Sequence, residues 1–332
     1  MKHSQATLSS TNLARLRIHD LTPTVDHFRE EVIAGLQQPQ KTLPSKFLYD
    51  KRGSELFDHI CELPEYYPTR TELSVMRLHV DEMAAFIGEQ SMIIEYGSGS
   101  SVKSRLLLNA LQNPAAYVPV DISRDYLLKI AATLAEDYPN MEILPVCADY
   151  TAHLEVPEAH TPIDRRCVYF PGSTLGNYHP NEAAQLLQEI ALVAGPGGGL
   201  LLGLDLKKDP QILHRAYNDQ RGITAAFNLN LLTRINRELG ANFNLDHFHH
   251  YAPYNPHYGR VEMHIASLGC QQIHLGEHEI PFQVGETIWT ECSYKYTVDE
   301  FTALAASAGL IVEQVWTDEC HLFSIQYLTV KA

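Results

Sequence analysis

The chain of 332 residues is poor in positive charge. It has 25 lysine and arginine residues against 40 aspartate and glutamate residues, which gives a formal net charge of −15. Proteins that bind nucleic acids gain phosphate affinity from clustered lysine and arginine, and here only scattered pairs occur, such as Lys51-Arg52 and Lys207-Lys208. We therefore expect no nucleic-acid partner, although a local basic patch is compatible with an acidic total.

Long apolar runs are also missing. No run approaches the length of a membrane span, and residues 1–14 lack the apolar core of a signal peptide. The six cysteines are widely spaced and form no Cys-x-x-Cys pair, which is typical of reduced cysteines in a cytoplasmic protein. We expect a cytoplasmic protein with no membrane partner, and the lack of a long heptad pattern favours a monomer.

Metal-binding patterns are absent as well. Residues 247–264 contain five histidines, His247, His249, His250, His257 and His264. Their spacing matches no standard zinc pattern, and no cysteine or paired carboxylate completes it. We expect a solvated loop and no metal site, while the aromatic residues nearby indicate a packed lid or an interface.

The most informative stretch that is present runs from Met92 to Gly99, Met-Ile-Ile-Glu-Tyr-Gly-Ser-Gly. A short apolar strand leads through Glu95 into Gly97-Ser98-Gly99, and a second apolar stretch ends at Asp121. Glycines allow a tight turn that brings the backbone close to a ligand, and an acidic residue after the next strand can bind ribose hydroxyls. The pattern predicts a nucleoside site, with a plain strand-to-helix turn as the alternative.

The third glycine of a dinucleotide-binding motif is replaced by Val102. That glycine allows a helix N-terminus to reach a pyrophosphate. S-adenosylmethionine carries no phosphate, so the missing glycine, together with Glu95 before the turn, favours S-adenosylmethionine over NAD.

Strand patterns and helix patterns alternate after this turn. Strands are predicted near 92–96, 117–121, 142–147, 166–170 and 199–205, and helices near 101–112, 123–137 and 181–193. Such alternation predicts an α/β protein with a Rossmann-like parallel sheet covered by helices on both faces. A helix at 297–308 and strands at 311–316 and 321–329 are predicted to close the sheet edge.

The segment between Asp205 and Thr297 is about ninety residues long, far beyond a normal crossover. It contains predicted helices and strand-like runs, at 209–218, 221–238, 260–268 and 286–294. We interpret it as a second, smaller substrate-binding lobe that is inserted after the fifth strand and joined by the N-terminal segment. The predicted division is 72–206 plus 295–332 for the domain that binds the methyl donor, and 1–71 plus 207–294 for the substrate domain.

Two further positions follow predicted strands. Asp149 comes after the third strand, where an adenine amino group is commonly bound in methyl-donor folds, and a helix cap or turn is the alternative. Asn177 ends residues 170–177 after the fourth strand and offers an amine both a donor and an acceptor, although a polar turn residue fits equally well. Asn/Asp-Pro-Pro-Tyr is absent from this place, which argues against a nucleobase acceptor.

Glu291 and Ser293 share one face of a predicted strand, and Met263 lies in a neighbouring strand-like run. A carboxylate, a hydroxyl and a thioether together suit an imidazole, because Glu291 can accept one ring N–H while Ser293 serves the other nitrogen. A surface strand with a solvated glutamate is the plainer interpretation of this spacing alone.

Together these motifs resemble the histidine-specific Nα-methyltransferases of ergothioneine biosynthesis, the EgtD family. The resemblance extends from about Leu43 to the C-terminus and rests on Tyr-Asp-Lys-Arg-Gly-Ser-Glu-Leu-Phe at 49–57, Pro-Glu-Tyr-Tyr-Pro-Thr-Arg-Thr-Glu at 64–72, Glu-Tyr-Gly-Ser-Gly at 95–99, Phe-Pro-Gly-Ser-Thr-Leu-Gly-Asn at 170–177 and Glu-Cys-Ser at 291–293. It implies a class I methyltransferase sheet and the conversion of L-histidine to its trimethyl betaine, hercynine, with three molecules of S-adenosylmethionine.

The resemblance also implies a role for each candidate residue. S-adenosylmethionine would be bound by Glu95, Gly97, Gly99, Lys103, Asp121 and Asp149. The catalytic residues would be Asn177, which holds the α-amino group, and Tyr49 near the amine. Tyr66 and Tyr217 would bind the substrate carboxylate, and Glu291 and Ser293 would bind the imidazole beside Met263. Relatives that act on tryptophan-type amines differ at the glutamate position, so Glu291 favours histidine over another small amine such as tryptophan.

Overall fold

The computed structural model describes residues 18–20, 25–99, 102–151 and 154–331. Its strands are β1 (His19–Asp20), β2 (Lys41–Thr42), β3 (Ser91–Tyr96), β4 (Ala116–Asp121), β5 (Glu142–Ile143), β6 (Val146–Cys147), β7 (Arg165–Phe170), β8 (Gly199–Asp205), β9 (Phe248–Tyr251), β10 (Tyr254–Asn255), β11 (Arg260–Ser267), β12 (Gln271–Leu275), β13 (His278–Phe282), β14 (Thr287–Tyr294), β15 (Leu310–Thr317) and β16 (Phe323–Val330). Residues 1–17 and 21–24 of the predicted segment 1–71, and residue 101 of the predicted helix 101–112, lie outside the described residues.

The helices are α1 (Val25–Leu36), α2 (Lys51–Cys61), α3 (Tyr67–Ile87), α4 (Val102–Ala110), α5 (Arg124–Asp137), α6 (Pro180–Ala194), α7 (Pro210–Tyr217), α8 (Ile223–Leu239) and α9 (Val298–Ser307). Short 3-10 turns cover Ser45–Leu48, Thr174–Asn177 and Leu245–His247. No helix within the described ranges has the length and apolar character needed to cross a membrane.

The main sheet has the order β1-β6-β4-β3-β7-β8-β16-β15, with β5 also paired to β4. Strands β3, β4, β6, β7 and β8 run parallel, and β16 pairs antiparallel with β8. Strand β8 shows why helices cover both faces: Leu200, Leu202 and Leu204 pack into one core, and Leu201 packs into the core on the opposite face. The predicted α/β fold is therefore confirmed, with the β15–β16 hairpin at one edge.

The prediction of one strand over 142–147 is wrong. The structure has two short strands, β5 and β6, which pair with different parts of β4. Pro145 lies between them and has no N–H to donate to a sheet, so it interrupts the pairing.

A second sheet has the order β10-β11-β14-β2, with β9 also paired to β11. Its core contains buried side chains from residues 28–67 and 213–288, including Phe28, Val32 and Leu36 of α1. The predicted substrate lobe includes residues 1–71, but residues 19–20 form β1, which pairs with β6 in the main sheet. The remaining boundaries of the two predicted domains stay a prediction.

Candidate functional site

A cavity of about 1010 Å³ opens at the carboxyl ends of β3, β4 and β6. Four of the six predicted methyl-donor residues line it, namely Gly97, Gly99, Asp121 and Asp149. The size lies at the upper end of the usual range for ligand pockets. The strand order brings these residues together although they are separated in the chain.

The glycine turn has the backbone that its sequence predicts. Gly97 has φ +73° and Gly99 has φ +42°, values that favour glycine. A Cβ atom at Gly97 would meet nothing within 4 Å, so the backbone conformation, not local crowding, requires this glycine. The Gly97 N–H donates to the carbonyl of Val120 at 2.9 Å, which joins the turn to the next strand.

Two carboxylates face this cavity. Asp121 accepts a hydrogen bond from the Ser123 N–H at 2.9 Å, and burial raises its pKa above the ordinary value. Burial also raises the pKa of Asp149, but hydrogen bonds from Thr151 and the ammonium of Lys46 outweigh it and hold that pKa below its usual value. Asp149 is therefore an ionised carboxylate that is already paired with Lys46.

Glu95 and Lys103 do not line the cavity formed by the described residues. Glu95 is buried beneath the turn, accepts hydrogen bonds from Ser104 Oγ at 3.0 Å and the Tyr117 hydroxyl, and has its pKa raised by burial to about 8. Lys103 forms an ion pair with Glu72, which also accepts a hydrogen bond from the Gly172 N–H. In this structure Glu95 and Lys103 support the turn and the loop after β7.

A smaller cavity adjoins the first. All seven predicted substrate-side residues line it, namely Tyr49, Tyr66, Asn177, Tyr217, Met263, Glu291 and Ser293. Tyr49, Asn177 and Glu291 line both cavities. A group held in the smaller cavity would therefore lie next to a ligand in the larger one.

Strands β11 and β14 place Met263, Glu291 and Ser293. Met263 is paired with Glu291, and Val261 is paired with Ser293, which puts the three predicted side chains on one face of the sheet. Burial raises the pKa of Glu291 to about 7, while nearby Lys295 acts in the opposite direction. The Asn177 amide donates to Glu291 Oε1 at 3.2 Å and joins the two predicted recognition groups.

The turn that carries Asn177 is held from two sides. Ser173 has a left-handed φ of 62°, and its hydroxyl accepts a hydrogen bond from the Asp205 N–H at 2.9 Å. Cys292 Sγ donates to the Asn177 carbonyl at 3.2 Å, and a Cβ atom at Gly176 would lie 2.7 Å from the Tyr294 carbonyl. Only glycine fits this close approach between the turn and β14.

Aromatic rings form one wall of the smaller cavity. The Tyr49 ring centroid lies 5.5 Å from those of both Phe57 and Phe227, and Tyr66 lies 6.2 Å from Tyr217. Burial raises the pKa values of Tyr49 and Tyr66 well above normal, so both hydroxyls stay neutral hydrogen-bonding groups. The sequence argument assigned no role to Phe57 or Phe227, although Phe57 belongs to the 49–57 motif.

A buried ionic network, which the sequence does not predict, forms part of the wall of this cavity, and its members Asp205 and Lys295 line the cavity. The Lys295 ammonium pairs with Asp205 Oδ2 at 2.8 Å, and Lys208 pairs with the other carboxylate oxygen. The Tyr67 hydroxyl also donates to Asp205 at 2.7 Å. Lysine and aspartate are rarely buried without partners, but no spacing in the sequence shows that these residues meet.

The histidine-rich segment 247–264 is not the solvated loop that its composition predicts. It contributes β9, β10 and part of β11, because its apolar positions pack into the second core. His264 is buried beside Trp289, and a His250 ring nitrogen lies 2.9 Å from the Tyr217 carbonyl. Among the described residues, no group of histidine, cysteine, aspartate and glutamate is arranged to hold a metal ion.

Comparison with known proteins shows the family of this chain. A family model described as "Histidine-specific methyltransferase, SAM-dependent" matches residues 28–330. The Histidine N-alpha-methyltransferase of Mycolicibacterium smegmatis is 41% identical over 303 residues, which cover 90% of this chain and 93% of that protein. The protein of the same name from Mycobacterium tuberculosis is 42% identical with the same coverage.

A third relative is Ergothioneine biosynthesis protein 1 of Neurospora crassa. It is 33% identical over 285 residues, which cover 83% of this chain and 32% of that longer protein. The family match extends through both the strand-end cavity and the adjoining cavity around Glu291. The chain belongs to the S-adenosylmethionine-dependent, histidine-specific methyltransferase family.

Proposed function

We propose that this enzyme transfers methyl groups from S-adenosylmethionine to the α-amino nitrogen of L-histidine and, over three rounds, makes hercynine for ergothioneine biosynthesis. The observation that carries the proposal is the junction of the two cavities at Tyr49, Asn177 and Glu291. A histidine whose ring lies at Glu291 would have its amine near Asn177, on the side of the glycine turn.

The residues of the larger cavity fit S-adenosylmethionine. Asp121 ends β4, where it can accept hydrogen bonds from ribose hydroxyls, and the turn at Gly97 and Gly99 presents backbone without side chains. Asp149 adds a carboxylate that can accept a hydrogen bond from the adenine amino group. When bound, S-adenosylmethionine supplies an electrophilic methyl group. Glu95 and Lys103 do not line this cavity, so contacts of these two residues with S-adenosylmethionine remain a prediction.

The chain's own contribution is to position a neutral amine. Asn177 donates its amide N–H to Glu291, which leaves its carbonyl oxygen to accept a hydrogen bond from the substrate amine. Tyr66 has a neutral hydroxyl that can donate to the substrate carboxylate, and the neutral Tyr217 hydroxyl, which donates to Ser293, is proposed to lie beside the same carboxylate. Tyr49, at the junction, can bond to the amine as its N–H groups are replaced by methyl groups. Alignment of this kind supplies much of the rate in a direct displacement.

Recognition of the imidazole would fix the far end of the substrate. Glu291 in its ionised form accepts a ring N–H, Ser293 bonds to the other ring nitrogen, and Met263 packs beside the ring. Binding energy from this distant group then holds the amine in place for reaction.

The direct test incubates the purified protein with S-adenosylmethionine and a mixture of free amino acids, followed by mass spectrometry. We expect histidine to gain three methyl groups and the other amino acids to stay unmodified. Methylation of tryptophan or another amine instead would contradict the histidine assignment. Binding of S-adenosylmethionine without any methylation would contradict the enzymatic proposal itself.

The setting of the enzyme is also proposed. We infer a cytoplasmic monomer with residues 72–206 plus 295–332 forming the methyl-donor domain and 1–71 plus 207–294 the substrate domain, apart from β1, and with no nucleic-acid partner. Light scattering on the purified protein tests the monomer, and a dimer at micromolar concentration would contradict it.

A further inference from the structure

Lys295 is a buried cation in the wall of the substrate cavity, which it helps to line. It is 2% exposed, and its ammonium contacts Asp205 Oδ2 at 2.8 Å, Ser293 Oγ at 2.7 Å and the Tyr217 hydroxyl at 3.0 Å. An ammonium has three N–H groups, and three acceptors surround this one. Lys295 therefore has no N–H left for a ligand, and it acts on the site through its contacts with Ser293 and Tyr217 and through the attraction of its charge on Glu291.

The ammonium stays charged in this setting. Burial lowers the pKa of Lys295, but the attraction of Asp205 and the contact with Tyr217 outweigh burial and raise the pKa above its ordinary value. Asp205 in turn is balanced by Lys208 and by the Tyr67 hydroxyl. The direction of the hydrogen bonds at Lys295 is thus fixed, since an ammonium only donates.

The bonds from Lys295 determine how the Ser293 and Tyr217 hydroxyls use their hydrogens. Ser293 Oγ and the Tyr217 hydroxyl lie 2.8 Å apart and share one hydrogen bond, and each also accepts a bond from Lys295. Two hydroxyls carry two hydrogens, and one of these lies between them. Whichever hydroxyl donates to the other, the second hydrogen remains as a donor toward the cavity.

We propose that Lys295 is a positioning residue that makes the Ser293–Tyr217 pair a hydrogen-bond donor toward the substrate, so that the cavity selects an imidazole with an unprotonated nitrogen on that side. The proposal rests on the proposed function, because it concerns the ring of the same substrate. Glu291 accepts the N–H of the other ring nitrogen, so donor and acceptor together specify one neutral tautomer of the ring. Neither a ring without nitrogen nor a doubly protonated ring satisfies both sides.

Lys208 provides a matched control. Like Lys295 it is a buried lysine paired with Asp205, but its other partners are the Tyr67 hydroxyl and the Leu206 carbonyl, and neither belongs to the Ser293–Tyr217 pair. In each single variant, Lys295→Met or Lys208→Met, the remaining lysine still neutralises Asp205. A general effect of losing one buried lysine would appear in both variants.

The experiment compares L-histidine with thienylalanine, whose ring is similar in size but has no nitrogen, in the wild-type enzyme and both variants. We expect Lys295→Met to lower the kcat/KM preference for histidine by about tenfold or more, mainly through KM, as for loss of one charge-assisted hydrogen bond. Lys208→Met should keep the preference within about threefold, and the dissociation constant of S-adenosylmethionine should change little in either. Ser293→Ala should lower the preference for histidine by a smaller factor in the Lys295→Met background than in the wild type, because both changes act on one contact.

An unchanged preference in Lys295→Met, or an equal loss in both lysine variants, would overturn the proposal. If Lys295→Met does not fold, Ser293→Ala and Tyr217→Phe decide the question, and wild-type preference in both would overturn it. A wild-type enzyme that shows no preference for histidine would instead contradict the proposed function, so the two failures are distinguishable.

Discussion

The two adjoining cavities differ in how far apart in the chain their lining residues lie. The four predicted residues of the larger cavity lie between positions 97 and 149, at the ends of three adjacent strands, whereas the seven of the smaller cavity lie between positions 49 and 293. The first depends on a backbone turn and partly exposed carboxylates. The second depends on aromatic walls and on charges that are buried with partners, such as Lys295 with Asp205.

This difference predicts where substitutions cost most. A polar group that loses its partner in a buried site keeps the cost of leaving water, while a group at a wetter site regains water instead. Changes on the substrate side should therefore weaken binding more than matched changes on the methyl-donor side. They should affect the binding of the substrate and not that of S-adenosylmethionine.

The largest effect is expected from Glu291→Ala. The change removes the acceptor for the ring N–H, so KM for histidine should rise by about 100-fold, the range for hydrogen bonds to charged groups. The dissociation constant of S-adenosylmethionine should stay within about threefold, although Glu291 touches both cavities. Steady-state kinetics and calorimetry measure the two effects, and equal losses of both affinities would contradict the division between the cavities.

A smaller effect, on the binding of S-adenosylmethionine and not of histidine, is expected from Asp121→Asn. The amide can still accept the bond from the Ser123 N–H but loses the charge, so S-adenosylmethionine binding should weaken by about tenfold. KM for histidine, measured at saturating S-adenosylmethionine, should be unchanged. A rise in that KM as large as the loss in methyl-donor affinity would show that the two cavities are not separable.

Glu291 also predicts a pH dependence. Because its pKa is raised to about 7, lowering the pH from 7 to 6 protonates the carboxylate and removes the acceptor. The ratio of kcat/KM for the wild type to that for Glu291→Gln should fall by about threefold to tenfold over this range. The glutamine variant corrects for titration of the histidine ring itself, so a constant ratio would mean that Glu291 does not titrate there.

The smallest effect, when it is measured per pH unit, concerns the stability of the fold beneath the glycine turn. Burial raises the pKa of Glu95 from 4.5 to about 8, so between these values the folded state binds more protons than the unfolded state. The free energy of unfolding should then fall as the pH rises through this window, by about 1 kcal/mol per pH unit from this group. Glu95→Gln should flatten that slope in urea titrations, and an unchanged slope would assign it to other groups.

The sequence predicted the methyl-donor side from local patterns. The glycine turn, the strand ends at Asp121 and Asp149, and the alternation of strands and helices all depend on residues close in the chain. Alternation also predicted that Glu291 and Ser293 share a face. The break at Pro145 was missed because the apolar run continues through it.

The substrate side needed more than local pattern. Tyr49, Tyr66 and Tyr217 were identified only through resemblance to a family, since no spacing connects them. Lys295, Asp205 and Lys208 were missed because their pairing depends on how β8 and β14 approach. The segment 247–264 was misread because its many histidines suggest a solvated loop, whereas its alternating apolar residues form strands of the second core.

The most direct test of the central claim is a crystal structure with S-adenosylhomocysteine and L-histidine bound. We predict the nucleoside in the larger cavity beside Asp121, the imidazole between Glu291 and Ser293, and the α-amino nitrogen near Asn177, facing the sulfur. A histidine bound with its ring toward the glycine turn, or outside the smaller cavity, would contradict this binding mode.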